Sequence, residues 1–291
     1  MKKSTLNHSW IDKSEYPFNS TYIQLSSGEM HYIDEGQGDI ILFIHGTPAW
    51  SFLYRNFIKE FSKNHRCIAI DHLGFGLSEK PQDFLGTPQA HADNLCEFIE
   101  KLNLQNITLV VHDFGGPIGL GAAIKNHNRI KQIVLFNSWL WETKNNPAVQ
   151  KIDKIINSWL GSFLYLRFNF SAKFLFPKGF ANKKNITKQL HQQYIHPFPN
   201  KNSRYGVLNI GKSLLGSSDW YQAQWEDLGK LSKKPWLIIW GTKDEFITME
   251  YLKKWKKRIP HAIVKELECG HFVQEEEAEN SIQAIKHFIN Q

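Results

Sequence analysis

The chain has 291 residues, 42% of them apolar, with 20 Phe and 10 Trp, enough to build a sizeable core in an α/β fold that at this length runs as one domain with an insertion. The formal net charge is +7, but the lysines read as scattered, with Lys253 to Arg258 and Lys183-Lys184 the densest groups, so they are taken as solvated faces and nucleic acid is excluded as a partner. Three widely separated cysteines, Cys67, Cys96 and Cys269, give neither a disulfide framework nor a zinc spacing. The N-terminal Met1-Lys-Lys leads into no apolar stretch. The expectation is a soluble cytoplasmic protein without a membrane partner.

In chain order, residues 20–26 and 29–34 predict an antiparallel opening pair. Ile40 to Ile44, Cys67 to Ile70, Ile107 to Val111, Ile133 to Phe136, Trp236 to Trp240 and Ala262 to Leu267 predict buried strands. Helical spacing falls between them at Phe52 to Ser62, Thr87 to Leu102 and Gly116 to Asn126, and Ser281 to Ile289 supplies a closing helix. Continuous apolar runs separated by helices indicate a mostly parallel, eight-stranded sheet covered on both faces. One interval interrupts this rhythm. From Phe136 to Trp236 the spacing is helical, aromatics are frequent and no strand is apparent, a stretch too long for a loop in a compact domain. It predicts an inserted helical cap, residues 138–228, on a core made of 1–137 and 229–291.

The chemistry concentrates after three strands. Val111-His-Asp113-Phe-Gly115 places an aspartate between small residues where a buried strand turns into a helix. That is the pattern of a nucleophile elbow, whose strained turn lifts one side chain clear of the sheet. A carboxylate there points to attack on an sp³ carbon and an ester intermediate. Asp244 follows the strand at Trp240, and His271 follows the strand ending at Leu267. Ligands of open parallel sheets bind beyond the carboxyl ends of strands, so Asp113, Asp244 and His271 are expected to converge. After the third strand comes His45-Gly-Thr47-Pro48. Its Thr47 backbone N–H, with that of Phe114, is expected to hold a developing oxyanion. His112 should point away from the elbow, and His72 lies in the glycine-rich turn Asp71 to Pro81; both are read as structural.

Taken together, His45-Gly-Thr-Pro-Ala-Trp-Ser-Phe-Leu-Tyr-Arg55, Asp71 to Pro81, the Asp113 elbow, Tyr194-Ile-His-Pro-Phe-Pro199 and Gly270-His-Phe-Val-Gln274 resemble the haloalkane dehalogenase family, from about residue 20 to the end. The resemblance implies the α/β-hydrolase fold with a helical cap, displacement of halide by the aspartate, and hydrolysis of the alkyl-enzyme ester by the histidine and its acid. The elbow and histidine are shared with epoxide hydrolases. In one respect the chain departs from the family, which places a halide-binding tryptophan after the nucleophile where Phe114 stands and, in some members, an asparagine where Thr47 stands. Phenylalanine has no N–H to offer. Trp139, Trp141, Trp159, Trp220 and Trp225 are the tryptophans that could replace it, and Tyr165, Tyr194, Tyr205 and Tyr221 are tyrosines that could protonate an epoxide oxygen.

The resulting expectation is a hydrolase acting through an Asp113 ester on a small apolar organic substrate, without metal or organic cofactor. The alternatives are an epoxide hydrolase or a β-lactone-opening enzyme with the same machinery, and a non-catalytic small-molecule-binding protein on the same fold. No Ser-centred G-x-S-x-G occurs, which disfavours an esterase or lipase. Oligomeric state is left open.

Overall fold

The structure is a computed structural model that describes residues 8–291 and, as backbone, the strand Lys2–Lys3. Among the described residues the strands are β1 (Lys2–Lys3), β2 (Thr21–Leu25), β3 (Gly28–Glu35), β4 (Ile40–Ile44), β5 (Arg66–Ile70), β6 (Ile107–Val111), β7 (Ile130–Phe136), β8 (Trp236–Gly241) and β9 (Ile263–Leu267). They form one sheet in the order β1-β2-β3-β5-β4-β6-β7-β8-β9. The eight expected strands are present, and the two-residue β1 is a ninth, paired to the edge of β2. Pairing is antiparallel from β1 through β3 to β5, and parallel from β5 to β9.

The chain runs from β4 outward to β5, then crosses back to place β6 on the other side of β4. The carboxyl ends of β4 and β6 therefore flank the switch point, the place where open α/β sheets bind their ligands. Both strands are nearly or wholly buried because helices cover both faces. On one face lie α2 (Pro88–Lys101), α3 (Gly115–Lys125) and α10 (Met249–Arg258), and on the other α1 (Arg55–Phe61), α11 (Val273–Glu276) and α12 (Ala278–Ile289). Local chemistry sets the ends of α2: Pro88 takes its first position, where no N–H is needed, and the Thr87 hydroxyl accepts from the Ala90 N–H at 3.2 Å.

One strand differs from expectation. The β9 segment was predicted buried, but Ile263, Lys265 and Glu266 are exposed. It is the edge strand, so one flank faces solvent and only Leu267 is sealed. Its Lys265 and Glu266 place charge on that edge, as protected edges do.

Between β7 and β8 the regular elements are helical: α4 (Pro147–Asn157), α5 (Trp159–Phe168), α6 (Phe176–Lys178), α7 (Lys188–Ile195), α8 (Tyr205–Gly216) and α9 (Ser218–Asp227). The Asp71 turn has the structural role expected of it. Its buried carboxylate accepts from the Ser51 N–H at 2.7 Å and the Leu77 N–H at 2.8 Å and meets His31 Nδ1 at 2.8 Å, tying β3, β5 and the segment before α1 together.

Candidate active site

At the end of β6 the backbone must reverse within one residue, and Asp113 takes it there with φ of +52°. This left-handed conformation is costly for a non-glycine residue. The surrounding bonds hold it in place. The Asp113 N–H donates to Asn137 O at 2.9 Å, and its carbonyl accepts from Ser138 Oγ at 2.6 Å and from the Gly116 N–H at 2.9 Å. The small neighbours are obligatory: a Cβ on Gly115 would sit 2.3 Å from Ile44 O, and one on Gly46 would sit 2.1 Å from Asp113 Oδ1. Only bare backbone lets β4 and its loop approach the elbow so closely.

The carboxylate so presented is buried and held on both oxygens. Oδ1 accepts from the Thr47 N–H at 2.8 Å, and the Phe114 N–H also bonds the carboxylate. Oδ2 stands 3.5 Å from His271 Nε2. On the far side of the ring, His271 Nδ1 lies 2.7 Å from Asp244 Oδ2. The remaining lone pairs of Asp244 are filled: Oδ1 accepts from the Phe246 and Ile247 N–H groups at 2.7 and 3.0 Å, and Oδ2 from Asn137 Nδ2 at 2.9 Å. Asp113, Asp244 and His271, which follow β6, β8 and β9, thus stand in one contiguous line of charged groups.

Electrostatics follow from this line. Burial disfavours charge on His271, yet the carboxylates of Asp244 and Asp113 on its two sides outweigh burial and push the imidazole up to about 10. Burial likewise disfavours the Asp113 carboxylate, and the bonds and charge of His271 overcome it and hold its pKa below the usual value. The resting pair is therefore imidazolium with carboxylate. His112 is kept neutral, pushed down to about 3 by burial and by the charge on His271.

His112, read from the sequence as structural, and Asn137, which sequence reasoning did not single out, are both positioning groups. His112 Nε2 lies 2.9 Å from the His271 carbonyl, so its neutral ring N–H donates there and fixes the histidine loop. Asn137 holds Asp244 and also exchanges two bonds with Gly241, donating to its carbonyl at 3.1 Å and accepting from its N–H at 2.8 Å. An amide directly after a buried strand, at the carboxyl edge shared by Asp113 and Asp244, was the available signal.

The aromatic candidates divide sharply. Trp139 is 1% exposed and meets the Phe114 ring edge-on at 4.9 Å, and its indole nitrogen has no hydrogen-bond partner. The Thr47 hydroxyl is likewise buried without a partner. Tyr221 packs against Trp139 at 5.7 Å, but its hydroxyl donates to Ser213 O at 2.9 Å. The other candidates have different surroundings. Tyr194 is buried with its hydroxyl donating to Glu275. Trp220 fills the groove left by Gly121 on α3. Trp141 joins Trp225, Tyr251 and Trp255 in a cluster under Lys254, whose Nζ is 4.4 Å from the Trp141 ring. Trp159 is 79% exposed, stacked on Phe163. Tyr165 is half-buried beside Phe170, and burial pushes its hydroxyl up to about 12. Helical spacing alone could not sort them, because each sits on a different face of its helix.

An elbow carboxylate on a switch-point sheet, an imidazole between two carboxylates and backbone N–H groups at the elbow are the features of a hydrolase scaffold of the α/β kind. Residues 39–278 match the alpha/beta hydrolase fold family, and the chain belongs to it. Within it the chain is a haloalkane dehalogenase-like hydrolase. It is 33% identical to haloalkane dehalogenase 2 of Mycobacterium bovis, over 94% of this chain and 96% of that one. It is 34% identical to a cis-3-alkyl-4-alkyloxetan-2-one decarboxylase of Shewanella oneidensis, over 94% of this chain and 89% of that one. Its structure resembles that of the haloalkane dehalogenase DatA from Agrobacterium tumefaciens, with a TM-score of 0.82 and 25% identity, over 93% of this chain and 96% of that one.

Proposed function

We propose that the enzyme releases an alcohol from a small apolar substrate through an ester on Asp113, with residues 138–228 acting as a cap over the core of 1–137 and 229–291. The observation that carries this reading is the Asp113 carboxylate at the elbow, with Oδ1 held by the Thr47 N–H and Oδ2 facing His271. Oδ2 attacks an sp³ carbon, the bond to the leaving group breaks, and the leaving group departs with the electron pair. Two buried donors without protein partners, Trp139 Nε1–H and Thr47 Oγ–H, are suited to receive that charge where Phe114 offers none.

Ester formation also prepares the second step. It neutralises Asp113, one of the two carboxylates that keep His271 protonated, so the imidazole becomes a stronger acid and gives up its proton. Neutral His271, oriented by Asp244, then takes a proton from water, whose oxygen attacks the ester carbonyl. Charge developing on Oδ1 is met by the Thr47 and Phe114 N–H groups, and collapse returns Asp113 and the alcohol. Single turnover in ¹⁸O-water is expected to label Asp113, and His271→Ala to accumulate the ester as a mass increment. Undiminished turnover by Asp113→Ala would overturn the reading.

A second reading, opening of a β-lactone, is favoured by Phe114 in place of an indole and by the decarboxylase relative. There Asp113 attacks the ring carbon bearing oxygen, and the C–O bond breaks to leave a tethered carboxylate. Loss of CO₂ sends the C–C pair into a new C=C bond as the bond to Asp113 breaks. No water is consumed, so a dialkyl oxetan-2-one would yield CO₂ without ¹⁸O in Asp113. Epoxide opening has less support, since the Tyr194 and Tyr221 hydroxyls are engaged elsewhere.

A further inference from the structure

Helices α4 and α5 present to solvent side chains that a core would ordinarily take in. Ile152, Ile155, Trp159, Leu160, Phe163 and Phe168 are between 41% and 79% exposed. The three rings among them are in contact. Trp159 stacks on Phe163 at 5.5 Å, and Phe163 meets Phe168 at 5.7 Å. The two helices join without a spacer at Ser158, and pack so closely that a Cβ on Gly161 would lie 1.9 Å from Ile155 O. Monomeric soluble proteins rarely expose contiguous apolar patches of this kind without a use for them.

The charge around the patch narrows that use. The lysines are less scattered than their spacing along the whole chain suggests: residues 146–190 contain eight Lys and Arg and one carboxylate, Asp153, a net +7 that equals the formal charge of the entire protein. Lys151 and Lys154 on α4, Arg167 on α5 and Lys173 shortly after it are exposed, and none of them forms an ion pair among the described residues. A symmetric dimer through this face would set the same cations against each other. An apolar ridge with an interfacial tryptophan, ringed by unpaired cations, instead matches a layer that is apolar at depth and anionic at its surface.

We propose that α4 and α5 dock the protein onto an anionic phospholipid bilayer, with Trp159, Leu160 and Phe163 at headgroup depth and the surrounding lysines among the lipid phosphates. No helix among the described residues is long and apolar enough to cross a membrane, so the contact is with one surface. The proposal is independent of the Asp113 chemistry, since none of these side chains belongs to the site.

The test is co-sedimentation of the full chain with vesicles of phosphatidylcholine, with and without phosphatidylglycerol. Retention on the anionic vesicles, weakened by salt, is expected. Trp159→Ser with Phe163→Ser should weaken it at least about tenfold, and Lys151→Gln and Lys154→Gln about fivefold per charge removed. Should the apolar variant melt early, the lysine variants, whose side chains lie in solvent, carry the test. No retention on anionic vesicles, or retention unchanged in both variants, would overturn the proposal. So would a dimer in analytical ultracentrifugation that Trp159→Ser dissociates, because the face would then belong to a second copy.

Discussion

Asp113 and His271 each depend on the other for their resting charge, and this has a consequence for stability. The folded imidazole titrates at about 10 against an ordinary value of 6.5. A group whose pKa is raised by folding stabilises the fold fully below its unfolded value and loses that contribution as pH rises through the folded one. The difference in thermal midpoint between the wild type and His271→Gln is therefore expected to be large near pH 6 and to shrink as pH approaches 10. A difference independent of pH over that window would mean that the imidazolium pair is not formed. The Trp139 indole makes a second residue-scale prediction. Trp139→Phe keeps a ring against Phe114 but removes the unpartnered N–H. Halide release from an alkyl bromide should fall about a hundredfold to a thousandfold, the usual cost of removing one preorganised donor. An unchanged kcat would remove Trp139 from the leaving-group site. At this scale Asp113, Asp244 and His271 were legible because strand ends and turn residues are local signals. Trp139 was one of several equivalent tryptophans, because its distinguishing property, a buried N–H without a partner, exists only once its surroundings are packed.

At the scale of elements, the histidine loop is fastened to the helical insertion. The His271 N–H donates to Gly179 O at 2.6 Å. Glu276 on α11 accepts from the Gly270 N–H at 2.9 Å and from the Ala181 and Asn182 N–H groups at 3.0 and 2.8 Å. One carboxylate thus bridges the loop before the proposed base and the segment after α6. Glu276→Ala leaves three backbone donors to find other partners, and a loss of about 1–3 kcal/mol is expected in urea titration. Because the displaced loop carries His271, kcat should fall more than KM rises. A variant with wild-type kcat and lowered stability would limit Glu276 to a structural role. The sequence conveyed strand and helix order through its apolar periodicity. It misjudged the burial of β9, since burial of an edge strand depends on what lies beside it and not on its own residues.

For the whole molecule, the insertion and the core are held by a buried ionic group. Arg55 on α1 pairs with Glu275 on α11 at 2.6 and 2.9 Å, and Tyr194 on α7 donates its hydroxyl to the same carboxylate. Arg55 and Glu275 side chains are 7% and 2% exposed. Arg55→Met would strand a desolvated carboxylate, at an expected cost of about 3–5 kcal/mol in denaturant unfolding. Arg55→Met combined with Glu275→Leu should recover much of that loss, since no unpaired charge then remains; a double variant as unstable as the single one would contradict this. By itself the sequence determined the class of fold, the helical stretch between β7 and β8 and the order of Asp113, Asp244 and His271, because each is written in runs, turns and motifs a few residues long. Only the tertiary structure decided which aromatic side chains face the elbow, which hydroxyls are already engaged and which rings lie in solvent. Those outcomes depend on how some hundred inserted residues pack against the sheet, a property of surfaces brought together from distant parts of the chain and not of any local stretch.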